Sequence, residues 1–420
     1  MHHATMKRSK AATTTQHVHN DEEDSRRDHG LVPRDSQLIS GGGWRDKKND
    51  ASDVDLNFYK DYPLLQSMID GDKTRRAYLE NNGKIQINYT KSNDGWFKTL
   101  AVWQGRALDR IIGPWLLLTL NAIIWTVVFE IHFQEWDQES NDGWASFYSI
   151  MLNTTLSFLL VFRLNRAAER YWLARQNWGI IVGAGRNFVS GVLVHGHHKT
   201  KPRDEAIKWV AAFAIATMQY MRGQNEIHQD SLAGILDLEE VHTLQEASHS
   251  PLYAACQARM ALQELFCITS ETSSGIAHLY AQQLHLLEGT LNVIMDNEGA
   301  MERIRGTPLP LVYVTHLRTF LIIYLASLPY IFLSSWGWAT IPIVAIASFA
   351  MLGLEGASEE VESPFEHGRP NHLKMDAYCL LLFSNIQQIL QHAADVEIRK
   401  GQASEYPTSN GIIEEEKELT

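Results

Sequence analysis

Three stretches of this chain carry no charged side chain over lengths that can cross a lipid bilayer. They constrain the fold more than any other feature. They are Ile111–Phe129 ("IIGPWLLLTLNAIIWTVVF"), Trp144–Phe162 and Thr319–Leu354. A helix needs about 20 predominantly apolar residues to cross the hydrocarbon core. The first two stretches are one span each, joined into a hairpin by the short acidic segment "EIHFQEWDQESND". Pro114 is read as lying near the start of the first span, where a missing backbone donor costs little. The third stretch is too long for one span, and "SSWGWAT" in its middle supplies turn residues and interfacial tryptophans. It therefore divides in two. Its first half begins earlier, near "PLPLVYVTHLRTF", and carries His316 and Arg318 into the bundle, where an ionisable group must face protein or water. The reading is an all-α, four-span transmembrane helical protein, with spans at about 109–131, 144–166, 309–333 and 338–356.

The basic residues orient these spans. Arg106 and Arg110 precede the first, Arg163, Arg166, Arg170 and Arg175 follow the second, and Arg303 and Arg305 precede the third. The connections Glu130–Gly143 and Ser334–Thr340 contain no Lys or Arg. Positive charge is retained on the cytoplasmic side, so both termini and the large middle region are expected there. The protein is expected to be an integral, multi-pass membrane protein in contact with lipid. The sequence does not distinguish a plasma membrane from an organellar one.

Between the two hydrophobic halves, residues 169–306 are charged and read as cytosolic helices. "EAIKWVAAFAIATMQYM" is short for a span and carries Lys208, so a packed helix outside the membrane is expected, with Asp204 as its cap. "SGIAHLYAQQLHLLEGTLNVIMDNEGAMERI" has apolar residues at helical spacing and reads as one long amphipathic helix. Residues 1–95 are polar and rich in His and Asp, and bury too little to offset ordering entropy. They read as a mostly disordered tail, with local order near "NFYKDYPLLQSMI". Histidines at 2, 3, 17 and 19 belong to that tail and read as solvated rather than metal-bound. No cleavable signal is visible at its start. Residues 403–420 form a second, acidic tail.

Composition excludes several functions. A net charge of −12 leaves no basic surplus to neutralise phosphates, so a nucleic-acid partner is not expected. Cys256, Cys267 and Cys379 are far apart and lack zinc-ligand spacing, so they read as free thiols. "HGHH" at 195–198 lacks the helical spacing of a zincin, and "GAGRN" lacks the glycine spacing of a nucleotide loop. No catalytic constellation emerges, and neither a cofactor nor a metal site is expected.

Three motifs then carry a family resemblance. "LSFLLVFRLNRAAERYWLARQNWGIIVGAGRN" resembles the second-span signature of the bestrophin anion channels. "ERIRGTPLPLVYVTHLRTFLIIYLASLPY" is similar to that family's entry into its third span. "GLEGASEEVESPF" is similar to the stretch after its fourth. The resemblance covers residues 96–402, the expected channel domain, and is closer to the bacterial, fungal, plant and algal branch than to the animal one. It implies a homopentamer whose second spans line a central pore continuing through a helical vestibule. It implies passive conduction of small inorganic anions, chloride above all, with bicarbonate or nitrate as further candidates. A cation-permeable relative and a membrane scaffold without conduction are the alternatives.

The resemblance also assigns residues. Thr154, Phe158 and Phe162 lie four apart, on one helical face, and match the family's hydrophobic pore neck. Phenyl rings have positive edges that tolerate a partly dehydrated anion, and a hydrophobic constriction can gate by dewetting. Arg163 and Arg166 stand where a basic ring at the pore mouth would concentrate anions, or where topology anchors would lie. Arg166 is also placed to pair with Glu169. Counting back from Pro310 puts the cytosolic aperture near Gln282. Two departures stand out. "FEHGRPNHLKMD" replaces the acidic run with which animal members bind calcium, so no calcium clasp is expected. Gly356 and Ser363 occupy positions that are usually acidic. Glu355, Glu359, Glu360 and Glu362 would then hold helices together, act as a pH-sensitive latch, or form a solvated helix end.

Overall fold

The computed structural model describes residues 62–83, 107–132, 142–224, 226–268 and 273–405. Among them every regular element is helical. The long helices in chain order are α1 (Pro63–Gly83), α2 (Leu108–His132), α3 (Asp142–His195), α4 (Thr200–Arg222) and α5 (Leu238–Glu246). They continue with α6 (Ser250–Leu265), α7 (Ser274–Gly306), α8 (Leu311–Trp336), α9 (Thr340–Glu362) and α10 (Met375–Glu405). Short 3₁₀ turns occur at Gln229–Leu232 and Gly337–Ala339.

Three stretches are long and apolar enough to cross a membrane: Leu108–Ile131, Phe147–His195 and Leu311–Glu362. The last is interrupted at Gly337, whose φ of 48° lies in the region glycine favours. α8 and α9 pack against each other on either side of that turn. α2 begins at Leu108, so Pro114 falls inside the helix and not at its first turn, as the sequence reading had it.

Two hydrophobic cores result, and α3 runs through both. The first joins α2, α3, α8 and α9 through Leu118, Leu156, Leu160, Leu321, Leu325 and Val344. Polar groups also bridge these helices. Trp115 Nε1 donates to the Ala345 carbonyl (2.9 Å), and Asn121 Nδ2 donates to that of Ala326 (3.1 Å). Such bonds, together with close backbone approach, hold apolar helices together where lipid removes the hydrophobic drive. Gly356 shows the close approach. A β-carbon there would lie 2.7 Å from Ile111 Cγ2, so α9 at this level has no room for the acidic side chain the resemblance would supply.

The second core packs α1, α4, α6, α7 and α10 around the C-terminal half of α3, through Trp178, Phe188, Phe213, Leu262, Leu291 and Leu382. α3 spans 54 residues, about 80 Å at 1.5 Å per residue. The arginines after Phe162 do not end the helix, because Arg, Asn, Ala and Glu bring no breaker. α4 is buried around nearly its whole circumference, as a helix apolar on all sides must be. It starts at Thr200 with Lys199 as N-cap. Asp204 is therefore not the cap expected from sequence; it lies within the helix and accepts from Arg203 Nε at 2.8 Å.

Residues 62–83 give more order than the local structure expected around "NFYKDYPLLQSMI". α1 buries Leu65, Met68, Leu79 and Arg75, the last donating to the Met68 and Ala233 carbonyls. Its docking depends on two glycines in backbone contact. A β-carbon on Gly71 would lie 2.2 Å from the Ala233 oxygen, and one on Gly234 would lie 2.1 Å from the Ser67 oxygen. Overpacking of this kind costs about 1–3 kcal/mol or more. Gly71→Ala is expected to lower the thermal midpoint and expose α1 to limited proteolysis. Gly275→Ala, with nothing within 4 Å of the new carbon, is the neutral control. Equal proteolysis of both variants would refute the docking argument. The remaining residues of the two tails lie outside the described residues.

Candidate functional site

α3 presents two faces at the level of the first core. Leu156, Leu160, Arg163 and Ala167 point inward and are buried. Thr154, Phe158 and Phe162 point the other way and are exposed, Phe158 at 63% and Phe162 at 45%. The two phenyl rings meet edge to face with centroids 4.5 Å apart. That geometry turns ring edges and faces toward each other and keeps the pair as one apolar step on an exposed helix surface. Arg166 follows one turn below Phe162. It is exposed and donates to Glu169 at 2.9 Å, so its charge has a carboxylate beside it. An exposed pair like this contributes at most about 1 kcal/mol.

Arg163 has a different place from the pore mouth expected for it. Only 1% of its side chain is accessible, and it lies 3.4 Å from Glu355 and 2.7 Å from Glu362, both on α9. It is the centre of an ion-pair network at the junction of the two cores. Glu355 also accepts from Arg318 of α8 (2.9 Å), and Arg318 reaches Glu359 at 2.7 Å. Arg110 of α2 contacts Glu359 at 2.5 Å and Glu360 at 3.2 Å. Arg369 bridges Asp109 of α2 (2.9 Å) and Glu366 (3.3 Å). Arg170 donates to the backbone carbonyls of Ile304, Thr307 and Glu362, closing the ends of α7 and α9 against α3. The acidic cluster after the fourth apolar segment thus ties together α2, the middle of α3, α8 and the turn before α10. Of the three expectations for these glutamates, the contacts match the first, holding helices together. The sequence reading placed Arg110 and Arg318 but did not pair them, because the pairs join residues far apart in the chain. His316, expected inside the bundle, lies on the exposed face of α8 with its ring 4.6 Å from Phe320.

The turn between α9 and α10 is locked by His372. Its Nδ1 accepts from the Glu366 N–H (3.0 Å), and its Nε2 faces the Glu360 carbonyl (3.0 Å), which fixes a neutral ring with the proton on Nε2. Burial holds the imidazole below its ordinary value of 6.5. The unfolded chain therefore binds more protons in the window between the depressed value and 6.5. Stability from this group is present above pH 6.5 and is lost as pH falls through the folded value. We expect the thermal midpoint to drop on acidification below pH 6.5. His372→Asn, which keeps an acceptor near the Glu366 amide, should flatten that part of the profile. An unchanged slope would exclude His372 as its source.

Gln282 lies on the exposed face of α7, its Nε2 3.1 Å from His278 Nε2. The cysteines carry no disulfide: Cys256 and Cys267 are exposed and Cys379 is buried.

This arrangement can be set beside known proteins. Residues 87–388 match the family described as Bacterial/Fungal Bestrophin protein. The chain belongs to the bestrophin family. A relative from Nostoc sp., a voltage-dependent anion channel-forming protein, is 32% identical over 73% of this chain and 95% of its own length. A protein of the same description from Synechocystis sp. is 28% identical over 70% of this chain and 92% of its own. The crystal structure of a bacterial bestrophin homologue from Klebsiella pneumoniae shares the fold, with a TM-score of 0.57, 20% identity, and coverage of 67% of this chain and 98% of that one. Bestrophin membership and these relatives indicate a membrane channel and not an enzyme.

Proposed function

We propose that this bestrophin is a passive anion channel, conducting chloride and other small anions such as bicarbonate or nitrate. In this reading α2, α3, α8 and α9 each cross the membrane, with both termini on the cytoplasmic side. Five copies assemble with their α3 helices around a central pore. The observation that carries the proposal is the division of α3 into a buried face (Leu156, Leu160, Arg163) and an exposed face (Thr154, Phe158, Phe162). Exposed phenyl rings on a helix whose opposite side already has a core call for another surface or a pore. The anion channel-forming relatives favour the pore.

Thr154, Phe158 and Phe162 then form the neck, with the threonine giving one more polar ring. Arg166 sits at its cytoplasmic mouth, compensated by Glu169. Arg163 is assigned to the ion-pair network instead. Gln282 is proposed as the polar aperture at the cytosolic exit. No calcium clasp is proposed after Phe365. Arg369 and His372 occupy that turn, whereas a hard cation needs several oxygen ligands.

The test is flux from liposomes holding the purified protein under a chloride gradient, followed by reversal potentials in asymmetric salt. Chloride flux without ATP, with a reversal potential near that of the anion, is the expected result. The Arg166–Glu169 pairing favours one specific second outcome, weak anion preference or cation permeation, because it removes net positive charge from the mouth. Absence of any flux would sink the channel reading.

A further inference from the structure

His249 stands immediately before α6 and is held from two sides. Its Nδ1 accepts from the Leu252 N–H at 3.2 Å, and its ring lies against that of Tyr220 with centroids 4.4 Å apart. Nε2 is thereby aimed at α7, where it meets Glu298 Oε1 at 4.0 Å and Glu302 Oε2 at 3.9 Å. The two glutamates are one turn apart on α7. The Tyr220 hydroxyl donates to Glu302 Oε1 at 2.8 Å, which leaves Oε2 for the imidazole side. Glu298 is 2% exposed, and its Oε1 has no hydrogen-bond partner.

A carboxylate oxygen buried without a partner needs an explanation. Among the described residues no Lys or Arg pairs with Glu298 or Glu302. The three ligand atoms lie within 4.8 Å of one another. The imidazole–carboxylate separations of 4.0 and 3.9 Å are too wide for direct hydrogen bonds, and a small side-chain rotation would bring them to the roughly 3.3 Å between ligands of a tetrahedral ion.

We propose that His249, Glu298 and Glu302 bind a divalent transition-metal ion, with Tyr220 orienting both His249 and Glu302 from outside. One imidazole nitrogen and two carboxylates suit Zn²⁺ or a similar ion, with water completing the coordination. Ca²⁺ and Mg²⁺ are disfavoured, since they require about six oxygen ligands. A hydroxyl that fixes the far oxygen of a ligating carboxylate is the outer support such sites use. A metal on Nε2 would require the neutral ring's proton to sit on Nδ1, so the contact with the Leu252 amide would be given up and the Tyr220 ring would remain to hold the imidazole. The ion would tie the start of α6 to α7 and, through Tyr220, to the end of α4. Glu298 and Glu302 show helical i, i+4 spacing in the sequence, but the third ligand, His249, is about fifty residues away and is brought to them only by the packing of α6 on α7.

The test uses the full chain, purified in detergent and stripped with a chelator. Zn²⁺ is titrated by calorimetry, and thermal unfolding is followed with Zn²⁺, Ca²⁺ or Mg²⁺. The histidines at 2, 3, 17 and 19 add background, so every comparison is with variants carrying the same tail. Zn²⁺ alone should raise the wild-type midpoint. Glu298→Gln and His249→Ala should each abolish that rise and remove one binding equivalent per chain. Tyr220→Phe loses a single hydroxyl and keeps the ring, and should weaken binding about 10–100-fold. It also serves as the readout if a ligand variant fails to fold. A wild-type midpoint indifferent to Zn²⁺ overturns the site. Zn²⁺ affinity and stabilisation unchanged in Tyr220→Phe overturn it equally.

Discussion

Replacing Arg163 by alanine is expected to cost about 3–5 kcal/mol, the penalty for removing one partner of a buried ion pair, enough to deplete folded protein. The guanidinium is 1% accessible, and its two carboxylate partners are themselves only 7% and 12% accessible. Solvent cannot replace the lost charge. Arg318 remains on Glu355, but among the described contacts the Glu362 carboxylate keeps only the backbone N–H of Leu309 (2.8 Å) as a donor. Size-exclusion profiles and thermal midpoints in detergent measure the effect. Arg166→Ala, three residues on, removes an exposed arginine whose pair is worth little, and should leave both unchanged. Comparable losses in the two variants would show that the basic residues act as general anchors and not through the network.

The second large effect is expected at the exposed face of α3. Phe158→Ala combined with Phe162→Ala removes two rings that contact each other and bury little elsewhere in the chain. Folding should therefore survive. If the rings form the proposed neck, its hydrophobic barrier to wetting disappears. Chloride flux should then rise severalfold, and discrimination between small and large anions should fall. Leu116→Ala, on the exposed face of α2, serves as control. Unchanged flux and selectivity in a well-folded double variant would move the filter away from these residues.

Much of this was legible in the sequence because it is local. Charge-free runs gave the apolar segments, "SSWGWAT" gave the turn at Gly337, and four-residue spacing put Thr154, Phe158 and Phe162 on one face. The pairing of Arg166 with Glu169 is likewise a neighbouring-turn contact. What sequence did not reveal is set by tertiary approach. Arg163 and Arg166 look alike as letters, yet one is enclosed by α9 and the other faces out. Gly71 and Gly234 look like ordinary glycines until α1 lies on the Ala233 backbone. Asp204 has the residue type of a cap but falls inside a helix that begins earlier, because Pro202 suits a first turn.

The unbroken course of α3 has a mechanical consequence. Sharp kinks almost always need Pro, a Gly/Ser pair or an inserted turn. Between Trp144 and Trp178 the helix contains neither Pro nor Gly. Phe158 and Phe162 are thus mounted on the same shaft as Trp178, which is clamped in the other core. With no universal joint between them, a twist applied by the helices around Trp178 is delivered to the two phenyl rings. Torque along α3 is what this architecture can carry from one hydrophobic core to the other.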